Sequence, residues 1–284
     1  VSNAGGLGVT GLTDLPQEEI RRSIRRIREL TDRPFGVDLL LPANMADPEA
    51  ESLDDARQRL ERDYPKHVEF VRKLAEEFNL PLVRPSNQFI MSARTIREQV
   101  DVVLAERVPL FAAALGDPGW VVPNAHAVGT KVLGLAGSAR HALRHKEAGV
   151  DLIVAQGYEA GGHVGKIGTF VLIPEVVDAV APIPVIAAGG IVDGRGVAAA
   201  LALGAQGVWI GTAFLLSEES RLFDAHKRAI IAARTEDFVV TRAYTGKTAR
   251  DVRNVVIERW ERSGLAPLPM PLQGILFRDF LAAA

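Results

Sequence analysis

Short apolar runs alternate with amphipathic stretches along most of the chain. β-Branched or apolar runs bounded by glycine or proline predict strands at Gly8–Gly11, Phe35–Leu41, Pro109–Leu115, Lys131–Leu135, Leu152–Ala155, Pro184–Ala188 and Gly207–Ile210. Apolar residues at helical spacing predict helices at Glu18–Thr31, Thr95–Glu106, Ala139–Ala148, Ile173–Val180, Gly194–Leu203 and Ser220–Arg234. In "EAGVDLI" and "LALGAQGVWI" a glycine separates helix from strand, where a left-handed C-cap is favoured. Alternation at this period means parallel strands joined by crossover helices. An eighth strand, placed before this chain, would close a (β/α)8 TIM barrel. The opening "VSNAGGLGVTGL" supports that expectation. It has no Met and reads as a helix end, a glycine-rich turn and a strand, so a segment is expected before Val1. An open doubly wound sheet is the alternative.

Two segments interrupt the rhythm. Residues 43–85 are dense in charge, and their apolar Val68, Val71, Leu74, Ala75 and Phe78 keep helical spacing. A surface helical insertion is expected there. Its functional alternative is a lid, or a contact with a second copy in a homodimer. Arg250–Ala284 carries a helix and then "LAPLPMPLQGILF", expected as a C-terminal extension that wraps back over the barrel. No linker or low-complexity tract divides the chain, so residues 1–284 read as one domain.

Composition narrows the chemistry. With 284 residues, 48% hydrophobic and 24% charged, the chain can build a core without disulfide or metal. A net charge of −2 gives no electrostatic case for nucleic acid or an anionic membrane. Cysteine is absent, which removes thiolate metal sites and cysteine nucleophiles and suits the cytoplasm. The six histidines have no HExxH spacing, so no metal is expected. No apolar run is long enough to span a bilayer.

Two glycine loops look built for phosphate. "PVIAAGGIVDGRG" ends a strand in Gly189–Gly190 and opens a helix just after Asp193. "GVWIGTAFL" runs a strand into Gly211 and Thr212, whose N–H groups and hydroxyl suit an anion. Either loop alone could be a tight turn. The ordered pair, roughly 20 residues apart, matches the phosphate site after the last two strands of a barrel. No GxGxxG motif follows the chain's first strand to open its helix, so the phosphate points to FMN or a phosphorylated substrate.

One unit earlier, "GYEAGGHVG" (157–165) is a loop whose glycines let the chain pass close to a flat ligand. Its His163 has the side chain best suited to move a proton near neutral pH. The competing reading is a structural histidine bonded to a backbone carbonyl. Glu159 reads as a tie for the loop. His141, His145 and His226 fall in charged helical stretches and are expected to be solvated, and His126 to lie on a surface helix.

The block from Ala155 to Ser220, with "VSNAGGLG" and "FGVDLLLP", closely resembles the nitronate monooxygenase family, which also holds FMN-dependent enoyl-acyl carrier protein reductases. The resemblance implies a TIM barrel with non-covalent FMN. It implies that Gly189, Gly190, Gly211 and Thr212 bind the FMN phosphate, that Gln156, Gly161 and Gly162 line the flavin, and that His163 is the pocket histidine. It implies oxidation of alkyl nitronates with O2 to a carbonyl compound and nitrite. The alternative is NAD(P)H-driven reduction of an enoyl thioester or quinone. The chain departs from the family at Asp38, where asparagine is usual, and at Leu135, where some members carry lysine. It also lacks the family's first strand with its Pro-Met segment. A dehydrogenase of the inosine monophosphate type shares the glycine loops but needs a cysteine. A non-catalytic flavin-binding barrel is the remaining reading.

Overall fold

The structure, a computed structural model, describes residues 1–42, 52–84 and 89–283. The chain divides into two compact units, Val1–Ala43 with Ile96–Lys227, and Asn44–Thr95 with Arg228–Ala284. In chain order the helices are α1 (Gln17–Leu30), α2 (Leu53–Asp63), α3 (Pro65–Glu77), α4 (Ala93–Ala105), α5 (Val122–Ala127), α6 (Ala139–Ala148), α7 (Thr169–Val180), α8 (Gly194–Ala202), α9 (Thr212–Leu215), α10 (Asp224–Ala232), α11 (Val255–Ser263) and α12 (Leu272–Ala283).

The first unit is built on a parallel sheet. Its strands are β1 (Gly8–Gly11), β2 (Phe35–Leu40), β3 (Leu110–Ala114), β4 (Lys131–Ala136), β5 (Leu152–Gln156), β7 (Val185–Ala188) and β8 (Gly207–Trp209). A two-residue strand, β6 (Gly162–His163), lies in the long loop after β5. The sheet order is β1-β2-β3-β4-β5-β7-β8, sequential throughout. A doubly wound sheet would reverse direction at a switch point, so that alternative is overturned.

The sheet is curled. Registered neighbours share a face, so the pairings Gly11↔Asp38↔Ala112↔Leu133 and Leu135↔Val154↔Ile186 mark one continuous side. On that side Leu110, Ala112, Leu133, Val154 and Ala188 form a cluster, and both Val9 of β1 and Trp209 of β8 pack against it. In a flat sheet those two edge strands would stand about 29 Å apart at ~4.8 Å per strand. Curling brings them onto one core, as in a TIM-barrel-like fold. The opposite face (Val37, Leu39, Phe111, Val132, Ile153, Val185) is buried together with Ile20, Ile24, Val100 and Leu172 of the helices. Each such side chain contributes roughly 1.5–3 kcal/mol.

The strands fall within two residues of their expected positions. Gly149 (φ 83°) and Gly204 (φ 96°) take the left-handed conformation after α6 and α8. Two helices differ. Helix α7 starts at Thr169 and keeps Pro174 inside it, whereas the proline suggests a start near Ile173. Helix α10 is shorter than Ser220–Arg234.

The second unit has its own core. Leu53 and Leu60 of α2, Val71, Leu74 and Ala75 of α3, Trp260 of α11 and Phe277 and Phe280 of α12 pack together. Trp260 meets Phe277 edge-on at 5.7 Å between centroids. Strands β9 (Phe238–Thr241) and β10 (Ala249–Val252) pair antiparallel. Gln273 is fully buried and satisfied: its Oε1 accepts from Leu268 N (2.8 Å) and its Nε2 donates to Ala243 O (2.5 Å). Of the apolar spacing read in residues 43–85, Val71, Leu74 and Ala75 are buried, Val68 packs beside them and Phe78 stays partly exposed. Residues 43–51 and 85–88, the ends of that expected insertion, lie outside the described residues.

Candidate active site

Three loops after parallel strands carry the expected residues, and all three lie in the first unit. Gln156 is the last residue of β5, and Gly161, Gly162 and His163 lie in the loop behind it. Gly189 and Gly190 follow β7, and Gly211 and Thr212 follow β8.

The structure packs these loops together through their glycines. A Cβ on Gly157 would lie 2.5 Å from Thr169 Cα, and one on Gly161 would lie 2.5 Å from Thr212 Oγ1. Gly189 (φ 107°) nests against Gly157 O and Ala160 N, where a Cβ would come to 3.1 and 3.2 Å. Gly190 (φ 67°) abuts Glu159 Cβ. Both φ values lie where residues with a side chain are strained. Glu159 is the tie: its Oε2 accepts from Thr169 N (2.8 Å) and Oγ1 (2.6 Å) at the start of α7. Gln156 Nε2 donates to His163 O at 2.7 Å and so sets the backbone that presents the histidine. Gly157 and Thr169 were not singled out by sequence. The signal was there: the first glycine after β5 and the hydroxyl residue opening the next helix.

The loops leave fewer backbone donors open than the motifs suggest. The first turn of α8 is already capped: Asp193 Oδ1 accepts from Arg195 N (2.9 Å), and the Arg195 guanidinium holds that carboxyl below its usual range. Among the described residues, the N–H groups of Gly190, Gly211 and Thr212 have no hydrogen-bond partner. A Cβ built on Gly211 meets nothing within 4 Å. Open space therefore lies beside one of these donors, Gly211.

Below the loops, the curled face carries small residues beside larger ones: Gly11, Ala112, Ala114 and Ala188. Among them stands Asp38 of β2. Its Oδ1 is enclosed and has no partner, and burial pushes its carboxyl up to about 7. Leu135 shares this face.

One histidine reading changes. His145 is buried rather than solvated. Its ring fills the space left by Gly134, where a Cβ would lie 2.8 Å from Cδ2. Its Nε2 donates to Leu135 O at 3.1 Å, and burial lowers its pKa. The sequence hides this because charged neighbours surround it on α6. His126 is exposed on α5, as expected, and its Nε2 lies 2.9 Å from Asp151 Oδ2.

A curled parallel α/β sheet with phosphate-type loops after its last strands defines a TIM-barrel-like enzyme scaffold. Sequence comparison places it further. A profile of the nitronate monooxygenase family matches residues 1–283, and the chain belongs to that family. A Mycobacterium tuberculosis protein named for a monooxygenase activity is 43% identical over 288 residues, covering 98% of this chain and 76% of the relative. A Staphylococcus aureus protein named probable nitronate monooxygenase is 36% identical over 275 residues, covering 91% of this chain and 71% of the relative. A nitroalkane oxidase from Streptomyces ansochromogenes superposes with a TM-score of 0.83 at 30% identity, over 100% of this chain and 79% of that one. FabK from Thermotoga maritima gives 0.69 at 29% identity, over 99% and 87%. The protein is an oxidoreductase of this family. Among the described residues, no helix is long and apolar enough to cross a membrane.

Proposed function

We propose that the first unit binds FMN at the C-terminal ends of its strands and oxidises alkyl nitronates with O2 to a carbonyl compound and nitrite. One observation carries this reading: the loops after β5, β7 and β8 meet there, the N–H groups of Gly190, Gly211 and Thr212 have no partner among the described residues, and open space lies beside Gly211. Those groups fit a phosphate, and they would hold it without help from α8, which Asp193 caps. The small residues Gly11, Ala112 and Ala188 leave room for a flat ring. Gln156, Gly161 and Gly162 would line it. When bound, FMN supplies the electron transfer and the reaction with O2.

The chain's own residues do the rest. Gln156 fixes the backbone of His163 through the 2.7 Å bond to its carbonyl. His163 would take a proton from a neutral nitroalkane. With a nitronate, already an anion, it would orient the charged oxygens. Glu159 holds the loop rigid through Thr169. The likeness to a nitroalkane oxidase is greater than that to FabK and favours this chemistry over enoyl reduction.

Replacing His163 with Ala tests the assignment. The variant should keep its bound FMN and lose about 100-fold or more in turnover. Unchanged turnover would remove His163 from the reaction.

A further inference from the structure

We propose that Asp38 is a neutral carboxylic acid that donates a hydrogen bond to an acceptor oxygen of the ligand held at the mouth of the curled sheet. The proposal rests on the site assignment above and adds a binding residue to it.

The placement comes from register. Asp38 pairs with Gly11 on one side and Ala112 on the other, so its side chain lies on the same face as the Leu110–Leu133–Val154 cluster. Neither flanking residue reaches past a methyl group. A Cβ built on Gly11 meets nothing within 4 Å, so there is open space next to the carboxyl. Yet Oδ1 is enclosed and has no hydrogen-bond partner. A buried polar atom without a partner is rare in a folded protein, and a site that a ligand completes is one explanation.

Its surroundings favour the protonated form. The other residues of this face at its upper end are Leu40, Ala114, Leu135, Gln156, Ala188 and Trp209, none of them ionisable. The one further ionisable residue on the face, Lys131, sits at the opposite end of β4 and pairs with Asp151. In the loops above, Glu159 is bonded to Thr169 and Asp193 to Arg195, while Asp14 and His163 have their own interactions. Among the described residues no cation stands by to hold Asp38 ionised, and burial raises its pKa. A protonated carboxyl is a strong donor. The acceptor chemistry it fits is a carbonyl-like or anionic oxygen, and both FMN and an alkyl nitronate carry one.

The test uses the full-length protein with Asp38→Asn and Asp38→Leu. The infrared carboxylic-acid carbonyl stretch is recorded first, from about pH 5.5 to about 8.5. One band should be present at the acid end in the wild type and missing from both variants. Affinity for FMN, then for ethyl nitronate on the FMN-loaded protein, is measured over the same range. For the ligand that accepts the bond, wild-type affinity should fall about tenfold per pH unit once the proton is lost. Asn keeps an N–H donor, so its affinity should be flat with pH, while Leu should bind at least tenfold more weakly at the acid end. Which ligand shows the pattern identifies the acceptor. If neither does, or if the band is absent at about pH 5.5, the proposal is overturned. Failure of the wild type and both variants to bind FMN would instead refute the flavin assignment, with the infrared band still reporting the proton on Asp38.

Discussion

The glycines at the site do different jobs, and only one offers a clean test of the phosphate assignment. Gly190 sits at φ 67° against Glu159, so any substitution there strains the backbone and the loop whatever the ligand. Gly211 has φ −108°, which any residue can adopt, and its missing Cβ points into empty space. Gly211→Asp should fold with near wild-type stability and purify colourless, because a carboxylate would stand where the phosphate belongs. A yellow Gly211→Asp protein would put the phosphate elsewhere. At this scale the sequence was informative about glycine and poor about histidine. Glycine clusters declare themselves because few other uses need so many. His145, expected to be solvated among charged neighbours, instead fills the notch at Gly134, while His163 sits in the glycine loop after β5.

The fit of α6 against β4 depends on that notch. Gly134→Ala would press a methyl to within 2.8 Å of the His145 ring and should destabilise the protein by about 1–3 kcal/mol. The same ring makes the element pH-sensitive. Burial lowers the His145 pKa in the folded protein, so on acidification the unfolded chain binds a proton that the folded one resists. Stability should therefore be full above about pH 6.5 and decline as pH falls below it. His145→Gln should flatten that decline in urea unfolding measured across the range. An equal acid slope in the variant would assign it to other groups. Periodicity located nearly every strand and helix of the first unit because burial on both faces of a parallel sheet leaves strong apolar runs. It misjudged α7, since Pro174 reads as a boundary while the helix runs through it.

Across the whole molecule, what the sequence left illegible was pairing over distance. Residues 43–85 and Arg250–Ala284 read as two separate additions. In the structure, Leu60 and Leu74 from one and Trp260 and Phe277 from the other share a single core. Nothing local in either segment announces the other, because each helix shows only that it has an apolar face. The parallel strands β1 to β8, by contrast, were legible from alternation, and the observed sequential order then selects the barrel-like arrangement over a doubly wound one. The chemistry proposed at its loops is tested most directly by mixing the FMN-loaded protein, without oxygen, with ethyl nitronate and separately with NADH or NADPH, and following the flavin absorbance. The account predicts rapid bleaching by the nitronate, and colour and nitrite returning when O2 is admitted. Bleaching by the nicotinamide but not by the nitronate would contradict it and make the protein a reductase.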